Sequence, residues 1–214
     1  MKKLISSCLF ALILSITTQH QSVSAQQYDK LDLDSQPLSN KVCATCHGSY
    51  GVGNPIVGGP SLAGLEPWYL KRQLEGFRAK HRGNETDYVP GNEMQASVAR
   101  LSDNEIEEVV SYIATWKPAE PEQTLSGDAN NGSALYASCA ACHGINGMGN
   151  ELIGAPALVG RDDWYMARQL KLFMSGNRGG NPEDIYGQQM RAGVQALGSE
   201  QDINDVLAYI TTMN

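Results

Sequence analysis

The chain has 214 residues, of which 42% are hydrophobic and 18% charged, with a formal net charge of −7. This composition is that of an ordinary globular protein and excludes wholesale disorder or a collagen-like structure. Aromatic residues are sparse, with 3 Phe, 3 Trp and 9 Tyr. Two small domains built from this chain would therefore have thin hydrophobic cores, and we expect an added stabilising group such as a disulfide or a metal centre.

The first 25 residues are typical of a cleavable secretory signal peptide. Lys2 and Lys3 precede an apolar run from Leu4 to Ile16, and small residues end the segment at Ala25. The run is shorter than the roughly 20 apolar residues that span a bilayer, which disfavours a membrane anchor. Removal of the segment takes the formal net charge from −7 to −9. So acidic a chain is not expected to bind nucleic acid.

The rest of the chain is an internal repeat with an offset of 96 residues. The segment Cys43–Gly48 (CATCHG) recurs as Cys139–Gly144 (CAACHG). Further identities at this offset are Gly51/Gly147, Gly53/Gly149, Asn54/Asn150, Pro60/Pro156, Leu62/Leu158, Gly64/Gly160, Trp68/Trp164, Tyr69/Tyr165, Arg72/Arg168, Gln73/Gln169, Leu74/Leu170, Phe77/Phe173, Met94/Met190 and Leu101/Leu197. One register over so many residue types predicts two homologous domains, 26–117 and 127–214, joined by a proline-containing linker over 118–126.

Hydrophobic periodicity predicts helices in each repeat, and no strand pattern is convincing. Leu70, Leu74 and Phe77 share one face of a helix that begins near Pro67. The equivalent helix in the second repeat is expected to be capped by Asp162-Asp163. Each repeat is therefore expected to be a small all-α domain with long loops.

The last helix of each repeat has a recognisable start. Ser102 and Glu105 have the spacing of a capping box, and Ser199 opens the counterpart helix. Met94 and Met190 precede these helices, in segments that we expect to be loops.

Each Cys-x-x-Cys-His segment places two sulfurs about one helical turn apart, beside an imidazole. The two vinyl groups of a haem and its iron fit this arrangement, so the segments predict covalent c-type haem attachment. The predicted thioether residues are Cys43, Cys46, Cys139 and Cys142, with His47 and His143 as iron ligands. Two covalently bound haem c groups would also supply the apolar mass that the cores lack.

Three other chemistries use paired cysteines. A thioredoxin-like dithiol needs a βαβ setting, and a zinc site needs cysteine pairs about 15–20 residues apart. Structural disulfides suit an oxidising compartment, but a bridge within so tight a loop would stabilise little. Haem attachment also accounts for the two histidines, which these alternatives leave unexplained.

The sixth iron ligand is predicted to be methionine. A lone methionine is commonly core filler, but Met94 and Met190 stand in register. The rival ligand in the first repeat, His81, aligns with Asn177. Methionine opposite histidine raises the reduction potential and occupies the position that dioxygen or peroxide would need. This pair of ligands favours electron transfer over catalysis.

Eight further residues are candidates for contacts with the haems. A proline carbonyl 13 residues after each histidine can accept its Nδ1 proton, or can belong to an ordinary turn. Paired aromatic residues can wall the haem or fill the core, and an arginine in each repeat can pair with a propionate or lie on a solvated face. These candidates are Pro60, Pro156, Trp68, Trp164, Tyr69, Tyr165, Arg72 and Arg168.

The repeated motifs resemble those of the class I dihaem cytochromes c of bacteria, of the cytochrome c4 type. The likeness rests on the paired Cys-x-x-Cys-His-Gly, Pro-x-Leu-x-Gly and Tyr-x-x-x-Gln-Leu segments and on the two late methionines. It implies two tandem all-α cytochrome c-like domains related by a pseudo-twofold axis, with facing haem propionate edges. One departure is that an opening helix is well marked only in the second repeat, over 129–138.

The resemblance also implies a function. It implies a periplasmic carrier of single electrons in a respiratory chain, not an enzyme, with at most peripheral membrane association. Its redox partners would be a quinol–cytochrome c reductase or a dehydrogenase as donor and a terminal oxidase as acceptor. The alternative is an electron-transfer subunit of a sulfide or thiosulfate dehydrogenase complex. A dihaem peroxidase would need an open sixth position on one haem, which the methionine pair argues against.

Overall fold

The computed structural model describes residues 38–84 and 89–213, which fall within one compact unit. The predicted signal peptide and the first residues of the predicted first domain lie outside the described residues. Within the described part, strand-like pairing is confined to two isolated antiparallel bridges, Asn54 with Gly59 and Asn150 with Ala155. None of the helices in these two ranges has both the length and the apolarity needed to cross a membrane.

The described residues form two successive sets of four α-helices. The first set is α1 (Leu38–His47), α2 (Pro67–Arg78), α3 (Val89–Val98) and α4 (Asp103–Ile113). The second set is α5 (Ala129–His143), α6 (Asp163–Ser175), α7 (Ile185–Gly193) and α8 (Glu200–Ile210). The same order of helices in both halves confirms the all-α fold and the internal repeat.

Several helix starts follow directly from the sequence. Pro67 occupies the first turn of α2, where its missing N–H costs no hydrogen bond. The predicted capping box of α4 is present, because the Glu105 N–H donates to the Ser102 hydroxyl and the Ser102 N–H donates to the Glu105 carboxylate. Ser199 caps α8 in the same way by accepting from the Asp202 N–H.

Three local expectations were wrong. Met94 and Met190 lie inside α3 and α7 rather than in loops. These helices are short, and α7 is held at its start by the Asp184 carboxylate, which accepts from the Gly187 N–H. The first domain also has an opening helix, α1, which ends at its Cys-x-x-Cys-His segment as α5 does. Asp162 occupies the N-cap position of α6, but its carboxylate makes no cap there.

Each set of helices has its own core. In the first, residues such as Leu74, Ile106 and Val109 are buried together, and in the second Ile203 and Val206 are central. The helices α5 and α8 cross at close range in the second core. A Cβ atom on Gly132 would lie only 1.9 Å from the Asp205 carbonyl oxygen. A glycine at this point lets the two helices approach closely.

The segment between α4 and α5 is fastened to the second domain. The buried Asp163 carboxylate accepts hydrogen bonds from the Thr124 N–H, the Thr124 hydroxyl and the Leu125 N–H. These bonds hold the end of the linker against the first turn of α6, shortly before α5 begins. The exact bounds predicted for the linker, 118–126, stay a prediction.

Candidate cofactor sites

The two Cys-x-x-Cys-His segments form the last turns of α1 and α5. Cys46 and Cys142 are exposed, Cys43 and Cys139 are half-buried, and all four sulfurs are unbridged. Burial raises the pKa of the Cys43 and Cys139 thiols, so both are protonated at neutral pH. All four cysteines line one cavity.

The histidine of each segment is buried and oriented by a proline carbonyl. His47 Nδ1 lies 2.8 Å from the Pro60 oxygen, and His143 Nδ1 lies 2.7 Å from the Pro156 oxygen. A carbonyl oxygen only accepts, so Nδ1 carries the proton in both rings. Burial lowers the pKa of both histidines, which keeps the rings neutral. Each Nε2 therefore presents a lone pair, the arrangement in which imidazole binds a metal ion.

The predicted sixth ligands share the cavity with these rings. Met94 Sδ lies 3.4 Å from His47 Nε2, so α3 brings the thioether to face the imidazole. Met190 occupies the equivalent position in α7 and lines the same cavity as His143. His81, the rival ligand, also lines the cavity, but its Nε2 atom lies 3.3 Å from the Glu183 carboxylate.

The lining of the cavity suits covalently attached haem. Its volume is about 1100 Å³, somewhat above the roughly 300–1,000 Å³ of a typical pocket for one small ligand. Its walls are largely apolar and come from both domains, including Leu74, Phe77, Leu170 and Phe173. The cysteine pairs, the two neutral histidines, Met94 and Met190 all line this cavity. These residues supply what a covalently attached porphyrin and its iron require.

The structure places some of the remaining candidates in the lining of the cavity and others outside it. Tyr69, Tyr165 and Arg72 line the cavity. Trp68 and Trp164 instead stack edge-on against the neighbouring tyrosines, outside the lining, and Arg168 lies over the Trp164 ring at 5.2 Å. Haem contacts by these three residues stay predictions.

Arg72 makes a contact that the sequence did not predict. Its guanidinium donates to the Gly154 carbonyl oxygen in the second domain and lies 4.3 Å from the centre of the Tyr186 ring. The guanidinium thus joins the two domains beside the cavity. A propionate contact by Arg72 stays a prediction.

The two domains meet through reciprocal hydrogen bonds. The Ser61 N–H donates to the Asp162 carboxylate at 2.7 Å, and the Ala157 N–H donates to the Glu66 carboxylate at 2.8 Å. Ser61 and Ala157 are 96 residues apart in the chain, and so are Glu66 and Asp162. Exchange of the same pair of positions is the contact pattern that a twofold relationship produces. It agrees with the pseudo-twofold arrangement that the resemblance implied.

Two buried residues of the cavity wall escaped the sequence patterns. Arg82 and Arg178 are 6% and 7% exposed, and both line the cavity. They are 96 residues apart, so the offset of the repeat was the signal that could have found them.

Comparisons with known proteins agree with this geometry. The cytochrome c family profile matches residues 34–117 and 129–214. The chain is 32% identical over 210 residues to a thiosulfate dehydrogenase electron acceptor of Stutzerimonas stutzeri strain A1501, covering 90% of this chain and 89% of the relative. It is 34% identical over 179 residues to cytochrome c4 of Stutzerimonas stutzeri, covering 79% and 83%. The crystal structure of reduced recombinant cytochrome c4 from Pseudomonas stutzeri superposes with a TM-score of 0.61 at 30% identity, covering 80% of this chain and 94% of that chain.

Proposed function

The chain belongs to the cytochrome c family, with two of its domains in tandem, and from this premise we propose that it is a periplasmic carrier of single electrons in a respiratory chain. It takes electrons from a quinol–cytochrome c reductase or a dehydrogenase and passes them to a terminal oxidase. Export depends on the signal peptide over residues 1–25, and contact with the membrane is at most peripheral. The domains span 26–117 and 127–214.

The protein is a dihaem electron carrier, with covalent haem c on Cys43 and Cys46 and on Cys139 and Cys142. The bound haem iron supplies reversible one-electron chemistry between Fe(III) and Fe(II). The chain's own residues provide ligands, orientation and a largely apolar wall. In our proposal His47 and His143 are the proximal ligands and Met94 and Met190 are the distal ones.

The observation that carries this proposal is the position of Met94. Its sulfur lies 3.4 Å from the Nε2 atom of His47, the ring nitrogen that carries the lone pair. A thioether held there occupies the position that a substrate or dioxygen would need, and methionine ligation favours the reduced iron. A site of this kind exchanges electrons without binding a small substrate. The opening of both sites onto one cavity supports passage of electrons between the two domains.

A rapid-mixing experiment tests the proposed role. The reduced protein is mixed with a purified terminal oxidase and oxygen, and the oxidised protein is mixed with a quinol–cytochrome c reductase and quinol. We expect both haems to be oxidised in the first experiment and reduced in the second. No electron exchange with either enzyme would contradict the proposal.

The second candidate is acceptance of electrons from a thiosulfate dehydrogenase. The likeness to a protein named as such an acceptor, over 90% of this chain, favours it. The test mixes the oxidised protein with thiosulfate dehydrogenase and thiosulfate and follows haem reduction. Reduction that requires both the enzyme and thiosulfate supports this donor. Failure here combined with reduction by the quinol-linked enzyme would assign the protein to the quinol branch alone.

A further inference from the structure

The peptide groups that orient the two buried histidines also contact the opposite domain. The Pro60 carbonyl oxygen accepts from His47 Nδ1 at 2.8 Å, and it belongs to the same peptide group as the Ser61 N–H. That N–H donates to the Asp162 carboxylate of the second domain at 2.7 Å. A single planar peptide group therefore stands between the histidine of one domain and a carboxylate of the other.

The second domain repeats this arrangement. His143 Nδ1 donates to the Pro156 carbonyl oxygen at 2.7 Å, and the N–H of the same peptide group, that of Ala157, donates to the Glu66 carboxylate of the first domain at 2.8 Å. We call each set of carboxylate, peptide group and histidine a cross-domain network. The first network ends at His47 and the second at His143.

Both networks are largely shielded from water. His47 and His143 are 5% and 6% exposed, and the carboxylate residues Glu66 and Asp162 are half-buried. The Oε2 atom of Glu66 is itself buried and accepts no hydrogen bond from the described part of the chain. Charges away from water are screened less, so each carboxylate polarises the peptide group that it contacts.

Hydrogen bonds that share a peptide group strengthen one another. A carboxylate that accepts from the N–H increases the negative charge on the carbonyl oxygen, which then attracts the Nδ1 proton more strongly. A histidine whose Nδ1–H is held in this way is a more basic metal ligand at Nε2. A more basic ligand favours Fe(III) over Fe(II), so hydrogen bonding behind the axial ligand lowers the potential of a haem.

We propose that each domain lowers the reduction potential of the haem in the other domain, Asp162 through His47 and Glu66 through His143. The two carboxylates are positioning residues, because they act on the iron ligands through a peptide group. The potentials of both haems thereby depend on the contact between the domains. The proposal rests on the two haems and their histidine ligands and is independent of which redox partner the protein serves.

Two variants that remove the charge test this in the holoprotein. Asp162→Asn and Glu66→Gln each keep an amide oxygen that can accept from the same N–H. In a spectroelectrochemical titration, Asp162→Asn is expected to raise the potential of the first haem and to leave that of the second close to wild type. Glu66→Gln is expected to raise the potential of the second haem alone. A titration of Met94→Ala, which changes the first site, assigns the two potentials to their domains.

Asp163→Asn is the matched control. Asp163 follows Asp162 in the chain and also accepts from backbone N–H groups, but these belong to Thr124 and Leu125 in the linker. The substitution removes a charge from the neighbouring residue without altering the peptide group behind His47. We expect a clearly smaller shift of the first haem than in Asp162→Asn. A shift of the same size would show that the charge acts through space, and would overturn the proposal.

Proton NMR of the reduced protein gives a second measurement. The Nδ1–H resonance of His47 should move upfield in Asp162→Asn as its hydrogen bond to Pro60 weakens, and that of His143 should stay in place. Denaturing mass spectrometry of each variant must still show two haems, which separates a change in potential from loss of the cofactor. The paired variants keep the test if one of them fails to assemble. Equal shifts of both haems in either variant, or unchanged potentials in both variants, would overturn the proposal.

Discussion

Glu66 and Asp162 stand at equivalent positions in the two domains, and each carboxylate accepts a backbone N–H from the other domain. Glu66 is the N-cap residue of α2, and Asp162 is the N-cap residue of α6. The carboxylate that would normally cap its own helix is thus used to join the domains. Residues of both domains line the cavity, so its shape depends on the domain contact that these bonds help to fix.

Removal of one of these carboxylates should weaken the domain contact. Asp162→Ala leaves the Ser61 N–H without its acceptor, and we expect a loss of about 1.5–3 kcal/mol in the free energy of unfolding. Urea denaturation followed by haem absorbance measures it. The control is Asp103→Ala, whose carboxylate is 82% exposed and paired with Arg78, and should cost less than about 1 kcal/mol. Equal losses in both variants would contradict the assignment.

The close crossing of α5 and α8 can be tested with two glycines. Gly132→Ala places a methyl group against the Asp205 carbonyl oxygen, so we expect a loss of about 1–3 kcal/mol. Gly76→Ala, within α2, meets no atom within 4 Å and should gain up to about 1 kcal/mol from its better helix propensity. Thermal unfolding of both holoproteins measures whether each substitution lowers or raises stability. A stabilised Gly132→Ala would mean that the helices are farther apart.

Asp205 should make stability depend on pH. Hydrogen bonds from the Asn131 side chain, the Asp128 N–H and the Gln201 side chain lower the pKa of this buried carboxyl. A lowered pKa in the folded state adds stability that is complete above the ordinary value near 4 and is lost as the pH falls through the folded-state value.

The corresponding measurement compares wild type with Asp205→Asn. The stability difference between the two should be largest at neutral pH and should shrink as the pH falls below about 4. Urea denaturation at a series of pH values between 2 and 7 gives the curve. A difference that stays constant over this range would show that the charge of Asp205 contributes nothing.

Methionine ligation predicts selective opening of one haem. Met94→Ala should free the sixth position of the first haem alone, so the reduced variant should bind one equivalent of carbon monoxide, whereas wild type binds none. Met190→Ala should do the same at the second haem. Met166→Ala is the control, because Met166 also lines the cavity but packs against the second core. Carbon monoxide binding to both haems of Met94→Ala would show that the two sites are not independent.

Local sequence patterns predicted the local structure well. Pro67, the capping box of Ser102 and Glu105, and the periodic face of α2 each depend on residues within one helix, so the sequence alone reveals them. The short helices α3 and α7 were predicted as loops. Few of their residues are buried, Gly91 and Val98 in α3 and Gly187 in α7, so no broad apolar face marks them in the sequence.

Contacts between the domains were the part that the sequence could not reveal. Asp162 has the residue type and position of a cap, but its partner is 101 residues away at Ser61. From the sequence, Arg82 and Arg178 would be expected at the surface, but both are buried in the structure. Only the common offset of 96 marks them, and an offset shows equivalence without showing contact.

The most direct test of the central claim, that this is a dihaem carrier of single electrons with both irons six-coordinate, is a spectroelectrochemical titration of the holoprotein under carbon monoxide and under argon. The account predicts two electrons taken up per chain in one-electron steps, with reduced spectra and potentials that are the same under both gases. Uptake of a single electron per chain would contradict it, as would a carbon monoxide adduct at either haem of the unmodified protein.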